Sequence, residues 1–185
     1  MKKTVYHATI IVFLFLLLVS GGCDSDLASL STEERKELAD LYAKLGTSNP
    51  KARVVEYNSK TGLPYGTTTL LNEAAPLRSL NVIKYLVAKG ADVNARRGHS
   101  EFNGQTPLHN AACMGRIEVV KLLVSHGADV NARDLDMTPL ESAKNGYRIH
   151  REMIERGEFA DVEIEVEIEK GYYEYEAVIK YLSNL

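Results

Sequence analysis

The chain has 185 residues, with 22 Lys+Arg against 25 Asp+Glu, 45% hydrophobic and 25% charged residues, two Cys and no Trp. That length holds one domain with a packed core, and the composition excludes a disordered, collagenous or disulfide-stapled chain. A formal net charge of −3 gives no electrostatic basis for binding nucleic acid, whose phosphates favour basic proteins.

Residues 1–22 differ from the rest. Lys2 and Lys3 form a positive start, Ala8 to Val19 an apolar run, and Ser20-Gly21-Gly22 supply small residues before Cys23; this order reads as an export signal. The run is shorter than the roughly 20 apolar residues of a spanning helix. Leu18-Val19-Ser20-Gly21-Gly22-Cys23 resembles the lipobox of bacterial lipoproteins, although Ser20 stands where a branched aliphatic is usual. The resemblance implies a lipid on Cys23, the membrane as a partner through that lipid, and a location in the cell envelope facing the periplasm or exterior. In a Gram-negative envelope the resemblance further implies, from Asp24, retention in the inner membrane. Cleavage after Gly22, releasing a soluble protein, is the alternative. With Cys23 lipidated, only Cys113 remains, so no intramolecular disulfide forms.

Without Lys2 and Lys3 the remaining chain has 20 basic against 25 acidic residues, a charge of −5. Residues 158–185 alone carry −6, from eight acids and two bases.

After a short tether at 23–30, the first expected element is an amphipathic helix. Ser31 and Glu34 have capping-box spacing, and Leu27, Leu30, Leu38, Leu41, Tyr42 and Leu45 recur at steps of three and four before Gly46. Residues 47–66 contain Pro50, Gly62, Pro64 and Gly66, with Val54-Val55-Glu56-Tyr57 as a short extended piece. They read as a degenerate first repeat.

Internal repetition decides the fold. Thr106-Pro107-Leu108-His109-Asn110-Ala111-Ala112 precedes Gly115, Val119-Val120-Lys121-Leu122-Leu123 and Gly127-Ala128-Asp129-Val130-Asn131-Ala132-Arg133. Shifting back by 37 places Thr69, Leu71, Ala74-Ala75, Val82-Ile83-Lys84-Tyr85-Leu86 and Gly90 to Arg96 on the same template. Shifting forward by 32 finds Thr138-Pro139-Leu140 and Ala143, with Gly146 one place early. Val178-Ile179-Lys180-Tyr181-Leu182 repeats the order of Val82 to Leu86 and reads as the last outer helix.

These motifs resemble the ankyrin-repeat family. The resemblance implies a mainly α fold: a solenoid of helix-turn-helix units with β-hairpin fingers. The expected division is a capping helix and degenerate repeat at 31–66, a repeat at 67–96, a repeat with a finger insertion at 97–133, and a divergent repeat at 134–185. Thr106 is suited to N-cap its helix, Pro107 to the N1 position, and Gly127 to follow the helix end.

Arg148 to Arg156 extends the first helix of the last repeat. Val162, Ile164, Val166 and Ile168 alternate with Glu163, Glu165, Glu167 and Glu169, and a period of two indicates a strand. A small β-rich insertion is therefore expected near the C-terminus, with Tyr172, Tyr173 and Tyr175 in its core.

No catalytic constellation, phosphate loop or nucleophile elbow occurs, so neither an enzyme nor a cofactor is expected. His109 belongs to the Thr-Pro-Leu-His motif, where the resemblance implies hydrogen bonding to backbone. His126 precedes Gly127 at a helix C-terminus, where an imidazole suits the dipole. His99 and Glu101 lack the spacing of a metal site, and Cys113 has no identifiable base. What remains is binding of another protein through the concave face, by a chain monomeric apart from that partner. The family pattern implies contacts at Arg96, Arg97, His99, Glu101, Phe102, Leu135 and Asp136 on the fingers, and at Asn110, Cys113, Met114, Lys144 and Asn145 along the inner helices. Inhibition of a secreted toxin, or scaffolding of an envelope enzyme, are the alternatives by analogy.

Overall fold

The structure, a computed structural model, describes residues 25–57, 64–76, 79–98, 104–156 and 165–185. Its first helices are α1 (Ser25–Ala28) and α2 (Thr32–Leu45). Ser31 separates them with an extended backbone, and its capping box is complete: the Ser31 hydroxyl accepts from the Glu34 N–H at 3.3 Å, and the Ser31 N–H donates to Glu34 Oε2 at 2.8 Å. The single helix expected from Leu27 onward is thus two, because a good N-cap starts a new helix where it stands. Gly46, at φ +66°, ends α2 as expected.

The segment read as a tether is a packed part of the molecule from Leu27 on. Leu27 and Leu30 are 4% exposed, and Asp26 pairs with Lys89 at 2.9 Å. Arg35 donates to the carbonyls of Leu30 and Ala28 at 3.1 and 3.0 Å. Two leucines left in water would forgo about 1.5–3 kcal/mol each, and that burial outweighs the polar company of Asp24, Ser25 and Asp26.

The degenerate repeat is a hairpin. Strands β1 (Arg53–Tyr57) and β2 (Pro64–Thr69) pair antiparallel, Arg53 opposite Thr69 and Val55 opposite Thr67, with an irregularity at Glu56/Tyr57. Three helix pairs follow: α3 (Leu70–Ala74) and α4 (Leu80–Ala88), α5 (Pro107–Cys113) and α6 (Ile117–Ser125), α7 (Pro139–Glu155) and α8 (Glu165–Ser183). Thr69, Thr106 and Thr138 cap the three inner helices through their hydroxyls. The repeats stack inner helix on inner helix and outer helix on outer helix. Leu71, Ala74, Ala75, Leu108, Ala111, Ala112 and Ala143 fill the inner layer; Val82, Ile83, Leu86, Val119, Val120, Leu123, Val178 and Leu182 fill the outer one. The alanines are what lets the inner helices approach closely.

The last repeat departs from the others for a visible reason. Gly115, at φ +66°, turns the chain between α5 and α6, whereas Gly146 is inside α7 and the helix runs on to Glu155. A Cβ on Gly146 would lie 2.1 Å from the Cys113 carbonyl oxygen. This glycine serves close approach to the neighbouring repeat rather than a turn, which is why it falls out of register in the sequence.

The strand expected at 162–168 is not formed over its described part: residues from Glu165 onward belong to α8, and 157–164 lie outside the described residues. Alternation alone does not make a strand, because an extended segment needs a partner for its backbone groups. Among the described residues β1 and β2 pair only with each other, apart from one bridge from Thr67 to Gly98. Val and Ile are only modestly poorer helix formers than Glu, and Tyr175, Val178 and Leu182, all buried, anchor the helix on the array. Tyr175 accordingly packs against the repeats, and not within a separate β unit.

Candidate functional site

Backbone bonds join the first finger to the second, and the second and third fingers are each closed by bonds of their own. Thr67 of β2 and Gly98 exchange backbone hydrogen bonds at 3.1 and 3.0 Å, the Arg97 N–H donates to the Gln105 carbonyl at 2.9 Å, and Asp134 and Met137 exchange bonds of 2.9 Å. Gly104, at φ +152°, allows the close passage, since a Cβ there would meet the Arg97 carbonyl oxygen at 2.1 Å.

Two arginines expected to read a partner are engaged within the molecule. Arg96 donates through Nη1 to the carbonyls of Arg133 and Gly104 at 2.6 and 3.3 Å. Arg97 grips the Glu56 carboxylate through Nε and Nη2 at 3.2 and 2.7 Å, and its Nη1 lies 3.3 Å from Glu73 Oε1. The Glu73 side chain is 6% exposed and is also paired with Lys44 and hydrogen-bonded by the Thr68 hydroxyl at 3.3 Å. A buried carboxylate requires such company, so the network ties α2, β1, α3 and the second finger together. Nothing in the motif spacing shows Glu73 meeting Arg97, because the insertion carrying Arg97 obscures the register.

His109 joins adjacent repeats. The Thr106 N–H donates to Nδ1 at 3.2 Å, which leaves Nε2 as the protonated nitrogen and donor to the Met137 carbonyl at 3.1 Å. Burial pushes the imidazole below its usual value of 6.5, against the Met137 carbonyl and Asp134, which favour the charged form. In the first repeat Asn72 occupies this motif position and donates to the Ala95 carbonyl at 3.0 Å. In the last repeat the position is Glu141, exposed, which accepts from the Thr138 N–H and hydroxyl at 2.6 and 2.8 Å; those bonds lower its carboxyl. His126 meets the Leu122 carbonyl at 2.8 Å, as its place at a helix end implied.

The remaining candidates divide by exposure. Met114, Leu135, Asp136 and Lys144 are exposed, whereas Asn110, Cys113 and Asn145 are half-buried. Asn110 donates to the Asn72 carbonyl at 3.2 Å, and Asn145 accepts from Arg148 at 2.9 Å. Burial raises the Cys113 thiol, the reverse of what a nucleophile requires. His99, Glu101, Phe102 and Cys23 lie outside the described residues. Among the described residues no group of three His, Cys, Asp or Glu is placed to hold a metal ion, and no helix is long and apolar enough to cross a membrane. Val55 and Ile149, 43% and 41% exposed, are apolar surface positions that sequence reasoning did not single out.

Stacked helix pairs joined by finger turns define a repeat solenoid, an architecture of protein–protein interaction modules. Residues 71–164, half of the chain, match the family model for ankyrin repeats in three copies, and the chain belongs to the ankyrin-repeat family. No curated protein matches it.

Proposed function

We propose that the chain is an exported module, anchored by a lipid on Cys23, that binds another protein of the cell envelope through its fingers and inner helices and catalyses no reaction. The observation that carries the binding reading is the ankyrin array itself, matched over residues 71–164. Export and anchoring are supported by Lys2 and Lys3, the apolar run Ala8 to Val19 and the small residues before Cys23. Several acyl chains on one residue would hold stably, since a single chain binds only marginally.

Packing that begins at Leu27 bears on where such a module works. Four residues from Cys23 to Leu27 span about 14 Å at full extension, so the array would stand close to the bilayer and meet a membrane-proximal partner. The test is metabolic labelling with a palmitate analogue in the native cells, comparing the wild-type chain with Cys23→Ser. Label and membrane sedimentation that both disappear in the variant are the expected result; an unlabelled wild-type chain overturns the anchor. Capture of one stoichiometric envelope protein by the full chain tests the binding reading separately.

A further inference from the structure

Between the packed N-terminal segment and the outer helix α4 lies an open groove of about 270 Å³. Asp26 and Ser29 line one wall, and Asn81, Lys84 and Tyr85 the other. Most of these groups are held in place. Asp26 pairs with Lys89 at 2.9 Å, and the Lys89 Nζ lies 5.5 Å from the centre of the Tyr85 ring. The Ser29 hydroxyl donates to the Asp26 carbonyl at 2.6 Å, and the Asn81 amide donates to Glu34 Oε1 at 2.8 Å. Lys84 is different: it is exposed, α4 carries no acid, and among the described residues no carboxylate is bonded to it.

The charges around the groove cancel. Lys84, Lys89 and Arg35 stand against Asp24, Asp26 and Glu34. A purely anionic ligand finds no net attraction there, whereas one that carries both signs is matched group by group. The volume falls below the roughly 300–1,000 Å³ of small-molecule sites and suits a polar head whose tails lie elsewhere. Position selects the ligand. Asp26 is three residues from Cys23, at most about 11 Å along the chain, and the head-group layer on each side of a bilayer is about 5–8 Å thick. A groove tethered through a lipid on Cys23 is therefore kept at the head groups.

We infer that this groove seats the head of a phospholipid beside the anchored Cys23, with its phosphate on Lys84 and a primary ammonium on Asp26. The inference rests on the reading of Cys23 as lipidated. A carboxylate accepts about four hydrogen bonds, so Asp26 takes the ammonium while keeping Lys89. The array is thereby oriented, with α1 and α4 facing the bilayer instead of swinging on a loose tether.

The test uses the full chain, purified from cells that process it and reconstituted in bilayers of phosphatidylethanolamine, phosphatidylcholine or phosphatidylglycerol. A photoactivatable residue replaces Ala88, which lines the groove, or Ser125, the same repeat position 37 residues on in α6. Mass spectrometry reads both the acyl groups on Cys23 and the lipid cross-links. Position 88 should label phosphatidylethanolamine about fivefold more than position 125 does, and more than it labels either other lipid. Lys84→Ala should lower that labelling about two- to fivefold, and Asp26→Asn should abolish the preference over phosphatidylcholine, whose quaternary ammonium has no N–H to donate. With acyl groups present, equal labelling from positions 88 and 125, or of the three lipids from position 88, overturns the groove and leaves the anchor standing. A chain recovered without acyl groups overturns both.

Discussion

The Tyr175 hydroxyl donates to the Cys113 carbonyl at 2.9 Å, joining the last outer helix to the inner helix of the preceding repeat. The ring lies against Gly115 and Gly146, where an added Cβ would come within 3.1 Å of its atoms. Tyr147 meets it edge-on at 6.2 Å, and the His150 ring centre is 5.8 Å away. Burial holds the phenol proton, pushing Tyr175 up to about 12, so the donor persists through the physiological range.

Tyr175→Phe keeps the ring and leaves one carbonyl lone pair unmet, which should cost about 1 kcal/mol. Gly146→Ala sets a Cβ 2.1 Å from the Cys113 carbonyl oxygen, a clash with backbone that no rotamer relieves. The expected cost is about 3 kcal/mol, with α7 held away from α5. Chemical denaturation gives both values, and equal midpoints for the two variants would contradict the close approach at Gly146.

Protonation of His109 should weaken the array. Its folded value is lowered below 6.5, so the unfolded chain binds the proton first as pH falls. The stabilisation is therefore complete above pH 6.5 and is lost as pH descends through the lowered folded value. Glu34 and Glu141, lowered from 4.5 by hydrogen bonds from the Ser31 and Thr138 N–H groups, add a second loss at more acid pH. His109→Asn, which places at this position the residue that serves the first repeat, should remove the upper stage and leave the lower one. Urea midpoints measured at successive pH values separate them, and an unchanged upper stage in His109→Asn would show that another group is responsible.

The repeat core was legible because its rules are local. Thr106 and Pro107 start a helix, Gly127 ends the next, and the copies at Thr69 and Thr138 obey the same constraints, so all three inner helices lie where the motif puts them. Val178 to Leu182 betrayed the last outer helix by composition alone. What escaped was tertiary. The run from Val162 alternates like a strand, but its described part has no partner strand, while Tyr175, Val178 and Leu182 downstream dock as a helix. The internal bonds of Arg96 and Arg97 are not legible in the sequence because their acceptors, Arg133, Glu56 and Glu73, are 37, 41 and 24 positions away. Leu135 was singled out as a contact by family pattern, yet its positive φ has no signature in a leucine-aspartate pair.

Arg97→Ala should loosen the junction of the first two fingers rather than merely remove a surface charge. Glu73 would retain Lys44 and the Thr68 hydroxyl, and Arg97 is itself 37% exposed. The cost is therefore below that of stripping a fully buried pair, about 1–2 kcal/mol. Hydrogen exchange at the Thr67 and Gly98 amides, which bond each other's carbonyls, should quicken while the amides of α6 keep their protection. Glu56→Gln keeps one acceptor and should give a smaller change in the same amides. Uniform acceleration across all repeats would instead mean that Arg97 acts on global stability.

Leu27 and Leu30 make the sharpest contrast between a packed N-terminal strap and a loose tether. Each is 4% exposed, and Leu→Ala at such a site at the edge of a core should cost about 2 kcal/mol. The repeats couple mainly to their neighbours, so the loss should fall on α1, α2 and α4 before the last repeat feels it. Limited proteolysis of Leu27→Ala/Leu30→Ala should then cut near Ser29 at protease levels that leave the wild-type chain whole. Asp26→Asn, which weakens only the pair with Lys89 at 2.9 Å, should be cut little faster than wild type, since a half-exposed ion pair contributes under about 1 kcal/mol. Equal cleavage of wild type and the double variant would mean that the leucines do not hold the segment down.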